Sequence, residues 1–228
     1  MNQHGLDPGQ RGRLAALLEV LASDEYAPTA VREPQLAVQV HLADSLAALE
    51  LEVVRDATQI ADLGSGAGFP GLALAVALPG AHVSLIESQR RSSEFLTRAC
   101  AAARVENATV VRTRAEDWHD GLLGNDVVLA RALAAQPVVL EYAAPLLRLG
   151  GALVDWRGRR TEAEEEAAER ASALLGLRRV EIRWVVPFEG ARDHHLHVFA
   201  KVDETPPRFP RRAGIARKRP LGSRTQSA

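Results

Sequence analysis

Apolar residues fall at helical spacing in two stretches near the start of the chain, 11–22 (RGRLAALLEVLA) and 34–51 (PQLAVQVHLADSLAALEL), which predicts two helices. Pro34 suits a first helical turn, where it has no N–H to lose. From about Ala57 the pattern changes. Short β-branched runs (TQIADL, HVSLIE, ATVVRT, DVVLARA, GALVDW) alternate with amphipathic segments (FPGLALAVAL, RRSSEFLTRACAAA, PVVLEYAAPLLRL, TEAEEEAAERASALLG). That alternation predicts β-α-β units, hence a parallel sheet with helices on both faces. Thr161 and Glu164 stand at capping-box spacing ahead of the helix that follows the fifth strand. The end of the pattern differs. RRVEIRWVVP and HHLHVFAKV are separated only by FEGARD, too short for a crossover helix, so they should form an antiparallel hairpin.

The expected fold is therefore α/β: a seven-stranded, mostly parallel, Rossmann-like sheet with a final antiparallel hairpin and N-terminal helices. The pattern divides the chain into an N-terminal helical extension (1–52), a central domain (53–204) and a basic, flexible tail (205–228).

Composition changes this picture little. Hydrophobic residues make up 46% of the 228 and charged residues 25%, which is ordinary for a soluble domain. No apolar run approaches the roughly 20 residues that span a bilayer. The first helix carries Glu19 inside it and Arg11 and Arg13 near its start, so it does not read as a signal peptide. A single cysteine, Cys100, excludes an internal disulfide and fits a reducing cytoplasm. Charge says more. The net charge is −1, but residues 205–228 hold seven basic side chains and no carboxylate, which leaves −8 on the first 204. A basic, Pro-rich end on an acidic body suggests a polyanionic partner, although a solvated tail without a partner fits the charge equally well.

The densest chemistry lies in DLGSGAGFPGLALAV, Asp62 to Val76. Gly64, Gly66 and Gly68 stand directly after a strand and before a helix. Glycine allows positive φ and close approach of the backbone to a ligand. The dinucleotide fingerprint needs glycine at 69, where this chain has Phe69, and a phosphate-cradling P-loop needs a lysine that is absent. The turn fits a ligand without pyrophosphate, such as the amino-acid tail of S-adenosylmethionine (AdoMet). The following strand ends agree. Glu87 closes the second strand, where an acid accepts hydrogen bonds from ribose hydroxyls. Ala115, Glu116 and Asp117 follow the third strand, at an adenine edge. Arg131 ends the fourth and should point into the crevice. Strand order and turn together read as a class I AdoMet-dependent methyltransferase.

Absent motifs narrow the chemistry further. Methylation of an exocyclic base amine usually relies on an Asn/Asp-Pro-Pro-aromatic motif after the fourth strand, and here the residues are Ala130-Arg131-Ala132-Leu133. Cytosine C5 methylation needs a thiolate, and Cys100 lies mid-helix among alanines. A nucleophile that already carries a lone pair, such as a purine N7, fits; it needs alignment and no general base. No catalytic acid or base is therefore assigned. His195 and His197 share one face of a strand, but no carboxylate or cysteine stands at ligand spacing and no metal is expected.

Seven stretches carry a family likeness: HLADSL (His41 to Leu46), DLGSGAGFPGLALAVALP (Asp62 to Pro79), LIESQRRSSEFL (Leu85 to Leu96), RAED (Arg114 to Asp117), ARAL (Ala130 to Leu133), LRLGGALV and FPRRAGIARKRPL (Phe209 to Leu221), of which Phe69-Pro70-Gly71 and the His-x-x-Asp-Ser-Leu stretch are far more specific than the general cofactor motif. In these the chain resembles the glucose-inhibited division protein B family, the bacterial 16S rRNA guanine-N7 methyltransferases. The resemblance runs from about His41 to Leu221. It implies AdoMet contacts at Gly64, Phe69, Ala115, Glu116 and Arg131, beside Gly66 and Glu87 from the motif. It implies a guanine N7 in 16S rRNA as acceptor; the expected partner is 16S rRNA or the 30S subunit, and the chain is expected to be a cytoplasmic monomer. His41, Arg157, Arg208, Arg211 and Arg212 become RNA-binding candidates, the tail serving as a phosphate-contacting arm. The chain departs from the family in lacking its Trp-Asn and Asn-Leu-Thr stretches before HLADSL, and in having Arg157-Gly158 where Lys-Gly is common. Two rivals remain: a small-molecule methyltransferase on the same sheet, and a non-catalytic RNA-binding factor with a vestigial AdoMet site.

Overall fold

The structure, a computed structural model, describes residues 5–222; the first four residues and the last six, Arg224 of the tail among them, lie outside it. Its strands are β1 (Gln59–Leu63), β2 (His82–Ile86), β3 (Ala108–Val111), β4 (Asn125–Arg131), β5 (Leu147–Arg157), β6 (Leu177–Trp184) and β7 (His195–Lys201). They form one sheet in the order β3-β2-β1-β4-β5-β7-β6. The first five are parallel, and β7 runs antiparallel to both β5 and β6. Central strands of a sheet covered on both faces are apolar without alternation, and Val127 to Ala130 in β4 are fully buried accordingly. The expected sheet and hairpin are present.

Two cores fill the two faces. One joins α1 (Pro8–Ser23), α5 (Gly71–Ala77) and α6 (Arg90–Ala102) to the sheet through Leu14, Leu17, Leu74 and Phe95. The other lies under α7 (Gln136–Ala143) and α8 (Glu162–Leu174) and includes Val139, Phe199, Phe209 and Leu221. The segment 1–52 therefore packs into the central domain's own core. Gln10 makes the point: it completes a capping box with Asp7, and its Nε2 donates to the carbonyls of Val76 and Ala77 at the end of α5. That box was not anticipated. At α8, Thr161 accepts from the Glu164 amide as expected, while its hydroxyl donates to the Glu164 carboxylate.

The second predicted helix is helical but not uniform. α2 (Pro34–Ala37) leads into a π segment, Val38–Ala43, then α3 (Asp44–Leu46) and a 3-10 turn, Ala47–Glu50, followed by α4 (Glu52–Arg55). Wider turns of this kind are rare and recur at functional sites. This one carries His41 into contact with the site described below.

The tail differs from expectation over the residues described. Residues 205–222 are packed against α7 and α8, with Phe209, Ala216 and Leu221 buried and α9 (Ile215–Lys218) near the end. Arg211 is not a free arm. Its guanidinium forks onto the fully buried carboxylate of Glu141 at 2.5–3.1 Å, and its backbone N–H donates to the same group at 2.9 Å. A buried carboxylate in an apolar helix requires such a partner.

Beneath the carboxyl end of β5, Asp155 faces His197 across the β5–β7 ladder. The Gln136 amide donates to both, 3.0 Å to Asp155 Oδ2 and 3.0 Å to His197 Nδ1, which anchors the first residue of α7. Because Nδ1 accepts, the proton of neutral His197 sits on Nε2, which is buried without a partner among the described residues. Burial pushes Asp155 up to about 7 and His197 down to about 4. The two act oppositely on stability. Asp155 stabilises below pH 4, and that contribution is lost as pH rises to about 7. The His197 contribution is present above pH 6.5 and is lost as pH falls to about 4. Asp155→Asn removes the first alone. Its urea midpoint should therefore climb more steeply with pH between 4 and 7 than that of the wild type. Parallel curves would contradict a charge-free cluster.

Candidate active site

The strand order reverses between β1 and β4, and open α/β sheets bind ligands in the crevice at such a point. The glycine turn lies there. Gly64 and Ser65 amides both donate to the Ile86 carbonyl at the end of β2, at 2.8 and 3.1 Å. Gly66 N–H donates to Glu87 Oε2 at 3.1 Å, while Glu87 Oε1 accepts from Gln89 N–H at 2.7 Å. Asp62 is buried and turned the other way, accepting from Gly71 N–H at the start of α5. Burial raises it to about 6, and a Cβ on Gly71 would lie 2.6 Å from its carboxylate. The motif's first acid thus braces the turn from below.

A cleft of about 320 Å³ opens beside this turn. Gly64 and Ile86 line it on the sheet side, Ala115 and Glu116 contribute from the 3-10 turn after β3, and Leu133 and Tyr142 from the β4–α7 region. Gly64 adopts φ +68°, and a Cβ there would sit 2.6 Å from Leu133 Cδ1, so only glycine leaves this passage open. Glu116 accepts from Gly214 N–H of the tail at 3.0 Å, and Arg217 donates to the Leu133 carbonyl at 3.0 Å. The folded tail therefore closes one side of the cleft. Tyr142 is pushed above its ordinary range by burial and by the nearby Glu116 charge, so it stays a neutral donor.

A second network lies across the β4–α7 loop. Arg131 donates to Asp44 Oδ2 and to the Val40 carbonyl, both at 2.9 Å, and to His41 Nδ1 at 3.3 Å. Since an arginine only donates, His41 Nδ1 accepts and its Nε2–H faces Thr29 Oγ1 at 3.2 Å. Burial and the Arg131 charge lower the His41 pKa, which keeps the ring neutral as it stacks on Phe69 at 5.0 Å. Asp44 Oδ1 holds His194 Nδ1 at 3.0 Å, and the Asp44 carbonyl accepts from Trp156 Nε1 at 3.0 Å.

Residues 13–193 match the family described as rRNA small subunit methyltransferase G (GidB). The protein of that name from Rubrobacter xylanophilus is 39% identical over 83% of this chain and 75% of its own length. The chain belongs to this family. The Syntrophomonas wolfei member is 37% identical over 89% of this chain and 96% of its own. Among solved structures, a precorrin-6y C5,15-methyltransferase from Geobacter metallireducens superposes with a TM-score of 0.56 at 16% identity, covering 79% of this chain and 96% of that one. Aeropyrum pernix fibrillarin, with natively bound S-adenosyl-L-methionine, gives 0.54 at 20% identity over 69% and 73%. These likenesses fix the fold as that of the class I methyltransferases.

Within the family fold, the residues singled out in the sequence separate into groups. Gly64, Ala115 and Glu116 line the cleft; Gly66 and Glu87 bind each other and are not among its lining residues, although Ile86 and Ser88 on either side of Glu87 are. Phe69 is buried under His41, and the Arg131 side chain turns away from this cleft toward Asp44. Arg157 donates to the Ala134 carbonyl; Arg208 lies over the Phe209 ring at 5.1 Å; Arg212 is exposed. Leu133, Tyr142 and Arg217 were missed. A tyrosine beside a glutamate in the otherwise apolar VVLEYAA was the one visible sign.

Proposed function

We propose that this chain is an AdoMet-dependent methyltransferase of small-subunit ribosomal RNA, acting on a guanine N7 as a cytoplasmic monomer on 16S rRNA or the 30S subunit. The observation that carries the reading is the Gly64 passage. In a chain of this family, Gly64, where any Cβ would meet Leu133, lines a cleft that also takes in the Glu116 carboxylate, and Glu87 stands between the lining residues Ile86 and Ser88. AdoMet fits that donor set: a turn for the methionine portion, Glu87 for the ribose hydroxyls, and Ala115 and Glu116 for the adenine amino group. When bound, it supplies an electrophilic methyl group.

The chain's part is to hold and align. Gly64, Gly66, Glu87, Ala115 and Glu116 would touch the cofactor directly. Phe69 supports the turn from the His41 side, and Arg131 ties the β4–α7 wall to α3. Glu116 in the cleft lining, and Glu87 and Asp62 next to it, are each engaged by backbone N–H groups. Among the described residues, no unengaged acid lines the cleft, and a guanine N7 lone pair requires no base. Alignment of two reactants supplies about 7–11 kcal/mol in well-oriented systems. On the RNA side, His41 and Arg157 stand across the β4–α7 loop, and Arg208 and Arg212 would meet phosphates from the tail.

The test is transfer of label from methyl-tritiated AdoMet to unmodified 16S rRNA, 30S subunits and 23S rRNA as control. Label should enter only small-subunit RNA. Confirmed AdoMet binding by calorimetry with no label in either small-subunit substrate would overturn the reading.

A further inference from the structure

A second cleft, of about 450 Å³, lies at the carboxyl ends of β4 and β5 and the start of β7. It shares a wall with the first. Arg131 and Ala132 face it while Leu133 faces the cofactor cleft, and Ala132 sits between them at φ +54°. A ligand here would therefore be separated from a cofactor there by one turn of a single loop. Its volume lies within the range that takes a small organic ligand.

The charges of this cleft are unevenly committed. Arg131 is paired with Asp44, and Arg157 is bonded to the Ala134 carbonyl and lies 3.9 Å from Asp155. Asp44 is shared between Arg131 and His194, and the remaining acid on the rim is Asp193. That leaves Arg159 and Arg192, both exposed and, among the described residues, without an ion-pair or hydrogen-bond partner. They come from different loops, after β5 and before β7. The first 204 residues carry −8 overall, so the body as a whole repels a polyanion. Two unpaired guanidinium groups on one rim reverse that sign where it matters. Trp156, fixed by its bond to the Asp44 carbonyl, supplies an apolar wall.

We propose that this cleft receives the substrate nucleotide of the RNA, with Arg159 and Arg192 pairing the phosphates that flank it. The assignment rests on the rRNA methyltransferase reading and adds two residues to it. Planar guanidinium groups grip phosphate oxygens bidentately, which sets register on the strand without reading its sequence.

Arg159→Gln, Arg192→Gln and the double variant test this against unmodified 16S rRNA and 30S subunits. Arg178→Gln, at the opposite end of the sheet, is the charge control. Each rim variant should raise the KM for RNA several-fold, and the double variant by about 100-fold. The kcat and the AdoMet affinity by calorimetry should stay near wild type. The slope of log K against log salt should flatten by about 0.7 per arginine removed. Lysine at both positions should restore the slope and part of the affinity. RNA affinity and salt slope unchanged in the double variant, with the wild type active, would overturn this assignment alone. A wild type that methylates no RNA would overturn the activity and this assignment together. A double variant no weaker than Arg178→Gln would reduce the effect to general charge and also overturn it.

Discussion

Gly64→Val is expected to abolish measurable AdoMet binding while the protein stays folded. Two effects add. A β-branched residue is strained at φ +68°, and its Cβ would lie 2.6 Å from Leu133 Cδ1, so valine must displace Leu133 into the cleft. Backbone strain of this kind costs about 1–3 kcal/mol, well within the stability of a domain with two full cores. Gly64→Ala should show the same defect in milder form. Calorimetric titration beside circular dichroism checks both. Wild-type affinity in Gly64→Val would mean that the cofactor does not use this turn.

Arg211→Leu should destabilise the protein by about 3–5 kcal/mol, because it leaves the Glu141 carboxylate buried with no countercharge. Glu141→Gln should cost less. The Arg211 side chain is 21% exposed and can turn toward water, whereas Glu141 at 0% cannot. The asymmetry separates a buried ion pair from simple packing, which would make the two changes similar. Both variants should also loosen the tail. The Gly214–Glu116 and Arg217–Leu133 bonds would weaken with it, so AdoMet affinity should fall and trypsin should cut sooner after Arg217 and Lys218. Equal urea midpoints for the two variants, or tryptic resistance equal to wild type, would count against a tail clamped by this pair.

Most of the sheet was legible because its signal is local and repeated. β-branched runs such as DVVLAR and helices such as RRSSEFLTRACAA are each readable from periodicity alone, and the short gap before HHLHVF dictated the final hairpin. The glycine turn was legible for a similar reason, since positive φ at the alternate positions 64, 66 and 68 leaves a glycine pattern. Side-chain direction was not. Arg131 ends its strand where a ligand-facing residue would stand, yet a carboxylate 87 residues away turns it aside. Nothing near Arg131 in the chain reports on Asp44. The π segment escaped for a different reason, because one widened turn barely disturbs helical spacing over 34–51. The tail was misjudged by its composition. Phe209, Ala216 and Leu221 are three buried residues among many basic ones, and Arg211 looks like its neighbours until Glu141 is seen beneath it.

The central claim is that the Gly64 cleft and its neighbours deliver a methyl group to a guanine N7 of 16S rRNA. Its most direct test is to incubate unmodified 30S subunits and 16S rRNA with the protein and AdoMet, then map the RNA by N7-specific strand scission. The account predicts one new scission site, at a guanine of the 16S chain, absent without AdoMet and absent with Gly64→Val. Methyl incorporation with no N7 scission site, or scission that persists with Gly64→Val, would contradict it.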